Sequence, residues 1–340
     1  MLNEELHKIV NKVMSGHKGI LASDESPSSI DKKLVEIGVE ANEENRRRYR
    51  EIFINTPDLE KYINGIILHE ETLWQADSNG KEFRKTLLEK GIEIIIKVDR
   101  GLVELPDSPQ EVFTAGLETL SDRLPLYHET GAKLAKWRSA IRIGENIPTQ
   151  NCLDRNAQDL ADYALLCQTN YMVPIVEPEV LIDGDHDIGK AEEVTTRTLK
   201  TVFEHLKAKN VDLKGTMLKT SMVLQGKDYP NKATPVQVAE TTVRTLLSSV
   251  PEDLGAVVFL SGGQGPQEAT ANLNEIAKKE PLPWGVAFSF LRAIEGPAAT
   301  AWQGQDENVE AARNEFIKRL KLNVTADAGE YGPHLEESVI

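Results

Sequence analysis

The chain of 340 residues is 40% hydrophobic and 27% charged, the proportions of an ordinary globular protein, which exclude a disordered, fibrous or disulfide-stapled one. Its 54 acidic residues outnumber 39 basic ones for a formal net charge of -15, which repels polyanions and argues against nucleic acid or an anionic membrane surface as the main partner. Two cysteines, Cys152 and Cys167, cannot frame a disulfide-rich secreted fold, and a reducing cytoplasm is the simplest home.

The chain opens Met1-Leu2-Asn3-Glu4-Glu5, with acids where a targeting peptide would carry bases and an apolar run, so an untargeted chain with an extra N-terminal helix is expected. No later stretch approaches the roughly 18 apolar residues of a membrane span. Short apolar runs predict eight strands, at 19–22, 63–68, 92–98, 135–143, 172–176, 215–218, 256–260 and 284–288. Charged stretches with helical spacing lie among them, at 42–52, 150–168, 190–208, 236–249 and 268–279. Near-continuous apolar strands joined by amphipathic crossovers make a parallel sheet covered by helices, and eight repeats favour closure into a single (β/α)8 TIM barrel. No linker-like segment divides the chain. Residues 1–325 are read as the barrel domain and 326–340, where the periodic pattern stops, as a mobile C-terminal tail.

In such a barrel the working residues project from the C-terminal ends of the strands. Here the strands deliver, in turn, Asp24-Glu25-Ser26, Lys97-Val98-Asp99, Lys136 with Arg138, Glu177 with Glu179, Lys219, Ser261-Gly262-Gly263-Gln264-Gly265, and Ser289 followed by Arg292. Lys136 and Arg138 are two apart, as are Glu177 and Glu179, so each pair points to one side of its strand. Lysines inside apolar strands are costly to bury, and a Lys whose pKa is depressed by burial and neighbouring cations can attack a carbonyl to form an imine. Lys219 is the best-placed nucleophile. The competing reading is a structural network of Lys136, Glu177 and Lys219, although such networks stabilise weakly and demand tight geometry.

The Ser261–Gly265 run, after the seventh strand, exposes backbone N–H groups where a helix begins, and suits a phosphate, with Arg292 adding a charged fork after the eighth. An ordinary glycine turn is the alternative. The seven histidines show no metal-ligand spacing, and Asp183-Gly184-Asp185-His186-Asp187 starts like a calcium loop but places Ile188 and Val194 where Gly and Glu are needed. A turn whose Asp residues serve the next helix is expected instead.

At these residues the sequence resembles the class I, Schiff-base-forming fructose-bisphosphate aldolases. The resemblance runs through Gly19–Ser26, Glu43–Arg47, Lys97–Asp99, Ala135–Arg138, Val173–Glu179, Asp183–Asp187, Gly215–Lys219 and Phe259–Gln264, in order and over nearly the whole chain. It implies reversible cleavage of fructose 1,6-bisphosphate into dihydroxyacetone phosphate and glyceraldehyde 3-phosphate, with no metal and no cofactor. Lys219 would form the imine, Glu177 would serve as its acid/base, Lys136 would assist as an ammonium, and Asp24 would take the C4 hydroxyl proton. Glu179 would hold the adjacent lysines. Ser261, Gly262 and Arg292 match positions for one phosphate, and Ser26, Ser29, Lys97 and Arg138 those toward the other; Ser289 and Lys33 are counted with the binding residues. A homo-oligomer is implied as well, since many members are tetramers.

The chain departs from the family pattern at three places. Animal members end in a tyrosine linked to proton exchange, whereas the last residues here are Ser338-Val339-Ile340, and Tyr331 does not match that position. Lys33 replaces a phosphate-binding arginine, and Leu291 replaces the glycine before the phosphate-binding arginine. The same chemistry with a preference for sedoheptulose 1,7-bisphosphate or fructose 1-phosphate is therefore an alternative. A non-catalytic sugar-phosphate-binding or scaffolding protein is a third reading.

Overall fold

The computed structural model describes residues 2–106 and 108–338. Its strands are β1 (Gly19–Ser23), β2 (Ile63–Leu68), β3 (Glu93–Lys97), β4 (Leu102–Leu105), β5 (Ser108–Thr114), β6 (Leu134–Ile141), β7 (Val173–Val180), β8 (Met217–Ser221), β9 (Ala256–Leu260) and β10 (Gly285–Phe288). Eight of them pair in parallel in the order β1-β2-β3-β6-β7-β8-β9-β10. The Ala22 amide donates to the Phe290 carbonyl at 3.1 Å and brings the two ends of the sheet together. That seam is tight: a Cβ at Gly19 would lie 2.3 Å from the Phe288 ring. The (β/α)8 barrel expected from the alternation of apolar runs and amphipathic helices is the fold observed.

Strand alternation sorts the side chains into two layers. Outward residues such as Ile94, Trp137, Leu218 and Phe259 pack under the helices in the larger apolar cluster. Inward residues Ile67, Ile95, Leu134, Val173, Ile175, Met217, Val258 and Ala287 fill the barrel. The N-terminal helix, Leu2–Val13, places Leu6, Val10 and Val13 on one face and buries them against the inward set, plugging one end of the barrel. With that end closed by apolar groups, the inward positions near the strand C-termini are left to carry polar side chains.

Two strand boundaries and one added strand pair stand out against the sequence reading. The strand expected at 172–176 continues to Val180, which puts Glu177 and Glu179 inside β7. The strand expected at 215–218 begins at Met217, because Leu213–Gly215 forms a tight 3-10 turn against the N-terminal helix, where a Cβ on Gly215 would lie 3.0 Å from Leu6 Cβ. β4 and β5 were not expected; they pair antiparallel outside the barrel. β5 docks on the helix Gln150–Thr169 through Asn156 to the Val112 carbonyl at 2.8 Å and Glu111 to the Thr149 amide at 2.7 Å.

The segment after 325 is packed through its described residues. The helix Val309–Asp327 carries the periodic pattern past Ala326, Tyr331 is buried, and Glu336 in the helix Leu335–Ser338 pairs with Arg319 at 2.7 Å. An aromatic ring and a carboxylate thus help to dock a stretch expected to be a mobile tail.

Candidate active site

One parity carries the chemistry. Along β6 the inward series is Leu134, Lys136, Arg138, and along β7 it is Val173, Ile175, Glu177, Glu179; register sets Lys97 beside Lys136 and Arg138 beside Glu177. Asp24 follows β1, Lys219 sits in the middle of β8, and Ser289 follows β10. A cavity of about 710 Å³ opens above them, and all fourteen residues singled out from the sequence line it: Asp24, Ser26, Ser29, Lys33, Lys97, Lys136, Arg138, Glu177, Glu179, Lys219, Ser261, Gly262, Ser289 and Arg292.

At the floor, Glu177 stands between two amines, with Oε1 3.1 Å from Lys219 Nζ and Oε2 3.0 Å from Lys136 Nζ. Lys136 also lies 2.7 Å from Asp24 Oδ2 and 3.9 Å from Asp99 Oδ2. All four side chains of this contact chain from Asp24 to Lys219 are buried. Burial opposes the Lys136 charge, but Asp24, Glu177 and Asp99 together outweigh it and raise the Lys136 pKa above the ordinary lysine range. Lys136 is thus held as an ammonium. For Asp24 and Glu177 burial pushes the pKa up, yet Lys136 first and Lys219 second pull both carboxyls below their usual range. Both are carboxylates at neutral pH.

The upper wall is cationic and hydroxylic. Gly262 and Gly263 both have positive φ, at 52° and 86°, and a Cβ on Gly263 would lie 2.9 Å from Ile182 Cδ1, so the loop needs glycine for both conformation and space. Gln264 braces it, donating to the Ser261 carbonyl at 2.9 Å while accepting from Asn272 at 2.7 Å. The loop leads into the helix Pro266–Ala277, an arrangement that can hold an anion. Ser26, Ser29 and Lys33 come from the start and body of the helix Pro27–Glu36, where the Ser26 and Ser29 hydroxyls are 3.1 Å apart. The Ser289 hydroxyl, buried and lining the cavity, has no hydrogen-bond partner among the described residues. Arg138 donates through Nε to Glu179. Glu179 therefore holds an arginine of the neighbouring strand, where the sequence suggested that it would hold lysines.

Other features noted in the sequence lie away from the cavity. Tyr331 is absent from the cavity lining; its amide donates to Asn274 Oδ1 at 2.8 Å and its hydroxyl to Glu336 at 3.0 Å. Asp187 caps the helix Ile188–Ala208, accepting from the Lys190 amide at 2.7 Å, and Asp183 pairs with Lys227 at 2.6 Å, so the acidic loop is a turn and a cap. Among the described residues no group of three or more His, Cys, Asp or Glu side chains is arranged to hold a metal ion. Strand-end reasoning passed over Arg50 and Glu295, which sit on the helices Glu43–Ile54 and Arg292–Trp302 beside the cavity. The signal available was helical spacing: Arg50 shares the buried face of Tyr49 and Phe53, and Glu295 lies one turn after Arg292.

The chain as a whole is similar to known proteins. A sequence model of the fructose-bisphosphate aldolase class-I family matches residues 5–339. Fructose-bisphosphate aldolase C of Pan troglodytes is 46% identical over 330 residues, spanning 96% of this chain and 91% of the relative. Cytosolic fructose-bisphosphate aldolase 4 of Arabidopsis thaliana is 47% identical over 315 residues, 92% of this chain and 80% of the relative. Among solved structures, the Plasmodium falciparum fructose-bisphosphate aldolase, crystallised in a ternary complex with TRAP and a small-molecule inhibitor, superposes with a TM-score of 0.96 at 42% identity, covering 97% of this chain and 96% of that one. The barrel, the lysine-rich floor and these relatives agree: the chain belongs to the class I fructose-bisphosphate aldolase family of carbon–carbon lyases.

Proposed function

We propose that this aldolase cleaves fructose 1,6-bisphosphate reversibly through an imine on Lys219, without a metal. The observation that carries the reading is Glu177, bridging Lys219 and Lys136 at 3.1 and 3.0 Å beneath a cavity walled by cations and hydroxyls. The Lys219 amine attacks the C2 carbonyl; Glu177 exchanges protons with the resulting carbinolamine, and water leaves. Asp24 removes the C4 hydroxyl proton, the C3–C4 electron pair moves into the protonated imine, and glyceraldehyde 3-phosphate departs. The enamine left on Lys219 is protonated at C3, and water hydrolyses the imine to release dihydroxyacetone phosphate. Lys136 remains an ammonium throughout and holds Asp24 and Glu177 in place.

Ser261, Gly262, Ser289 and Arg292 would bind one phosphate, and Ser26, Ser29, Lys33, Lys97 and Arg138 the other. This local cationic lining lets a chain of net charge -15 hold a doubly phosphorylated sugar. A homo-oligomer in a cytoplasmic setting fits the reading, supported by the cytosolic relative and by two cysteines that are both free and buried.

Trapping tests the mechanism. The protein is incubated with dihydroxyacetone phosphate, reduced with borohydride, and mapped by mass spectrometry, with a parallel sample in chelator. A single adduct on Lys219, unchanged by the chelator, is expected; no adduct, or adducts only on exposed lysines, would overturn the assignment. Relative cleavage rates of fructose 1,6-bisphosphate, fructose 1-phosphate and sedoheptulose 1,7-bisphosphate then rank the substrates.

A further inference from the structure

A second nest of buried charge lies against the cavity wall, and it meets the proposed phosphate site only through Lys33. Lys33, whose side chain lines the cavity, has its Nζ 3.3 Å from Glu25 Oε1 and 3.5 Å from Glu295 Oε2, and 4.8 Å over the Tyr49 ring. Arg50 occupies the other side of the same two acids, 2.7 Å from Glu25 Oε2 and 3.6 Å from Glu295 Oε2, and it donates to the Ser23 hydroxyl at 2.8 Å. The Tyr49 hydroxyl donates to Glu295 Oε2 at 3.1 Å. Glu295 is fully buried, whereas Lys33 is at the edge of the nest where the cavity begins.

We propose that Glu295 is a positioning residue: with Glu25 it holds the Lys33 ammonium back in the wall, and loss of the Glu295 charge releases that ammonium to a substrate phosphate. The inference rests on the reading of the cavity as a sugar-phosphate site. A lysine suits such an exchange, because its ammonium is a compact charge on a flexible stem that can change partners. A phosphate entering the cavity and the Glu295 carboxylate compete for one cation, so binding and protonation are linked.

The groups facing Glu295 come from three elements: Lys33 on the helix Pro27–Glu36, Tyr49 and Arg50 on the helix Glu43–Ile54, and Ser23 and Glu25 at the end of β1. Burial, and after it the Glu25 charge, push the Glu295 carboxyl up to about 7, against the pull of Lys33 and Arg50. The exchange therefore falls in the physiological range. Below neutrality Glu295 is uncharged and Lys33 has one acid to hold it; above neutrality it has two.

The test is steady-state cleavage of fructose 1,6-bisphosphate from about pH 6 to about pH 8.5 by the parent, Glu295→Gln, Lys33→Met and the double variant. Glu295→Gln should lower KM by about 3- to 10-fold at the alkaline end, the size of a displaced pKa of half to one unit, and leave it unchanged at the acid end. The kcat ratio should stay flat across the range. In the Lys33→Met background the Glu295→Gln effect on KM should vanish. Inorganic sulfate, whose charge is constant over this range, gives a second readout that needs no change at Glu295: Lys33→Met should weaken its inhibition more at acid than at alkaline pH. Parallel KM profiles, an effect that persists without Lys33, or a sulfate ratio independent of pH would overturn the inference while leaving the aldolase reading intact. Absence of cleavage by the parent protein would overturn both.

Discussion

Two clusters of buried acids and bases sit side by side at the barrel mouth, and they treat their carboxylates in opposite ways. On the floor, Asp24 and Glu177 each have a lysine ammonium within 3.0 Å, and both carboxyls are held below their ordinary range. In the wall, Glu25 takes the close 2.7 Å contact with Arg50, and Glu295 is left with cations at 3.5 and 3.6 Å. There burial prevails, and Glu295 rises to about 7. Burial is common to both clusters; what separates them is which acid wins the nearest cation. The strands fix the floor, since adjacent β3, β6 and β7 hold Lys97, Lys136, Arg138 and Glu177 in register. The wall draws its groups from three helices and the end of β1, where a side chain at the edge has room to change partner.

The sharpest break in this comparison is chemical. Lys219→Ala should lose cleavage by on the order of 100,000-fold, the scale seen when a covalent nucleophile is removed, with the protein still folded by circular dichroism. Glu177→Gln should lower kcat by about 100- to 10,000-fold, the range of a general acid/base, and slow borohydride trapping in proportion. Glu295→Gln should leave kcat in place, and a comparable loss there would show that the two clusters are one machine.

Stability separates the clusters next. Arg50 is fully buried between Glu25 and Glu295, so Arg50→Met leaves two buried acids to share the Lys33 ammonium and should cost about 3–5 kcal/mol in urea denaturation. The pH dependences have opposite signs. Asp24 and Glu177 titrate lower in the folded chain than in the unfolded one, so their contribution is full above the ordinary carboxylate range and is lost as pH falls through the folded values. Glu295 titrates higher when folded, near 7 against an ordinary 4.5, so the folded state binds the extra proton between those values and stability declines as pH rises through that window. Glu295→Gln removes the decline. Its stability relative to the parent should improve by about 1–3 kcal/mol between pH 5 and pH 8, and an unchanged difference would place Glu295 with the floor carboxylates.

The same contrast explains what could be read from the amino-acid order. Strand parity alone brings Lys136 and Arg138, or Glu177 and Glu179, to one side, and a barrel gathers such positions at one mouth, so the floor was legible from spacing. Arg50 was not, because it stands among Arg46, Arg47 and Arg48, which form ion pairs with Glu71, Glu44 and Asp306 at 2.7 Å each; nothing in a run of arginines says which one points inward. Glu295 became meaningful only through its tertiary neighbours. The β4–β5 pair was hidden for a different reason: Leu102 and Val103 are more than two-fifths exposed, so the hairpin lacks the buried alternating face that betrays a strand.

The smallest expected effect is also the cleanest control on the argument from burial. Arg244 grips Glu192 with two parallel contacts of 2.7 and 2.8 Å, a geometry at least as good as that of Arg50 on Glu25. The Arg244 side chain is 59% exposed, whereas that of Arg50 is 2% exposed. Water screens the Arg244 pair and solvates whichever partner remains, so Arg244→Met should shift stability by less than about 1 kcal/mol, and added salt should erase most of that. At Arg50 the lost partner leaves acids that water cannot reach, and salt should change little. If the two arginine variants proved equally costly, the contact geometry would be setting the energies, and the difference drawn between floor, wall and surface would have to be argued from shape instead of solvation.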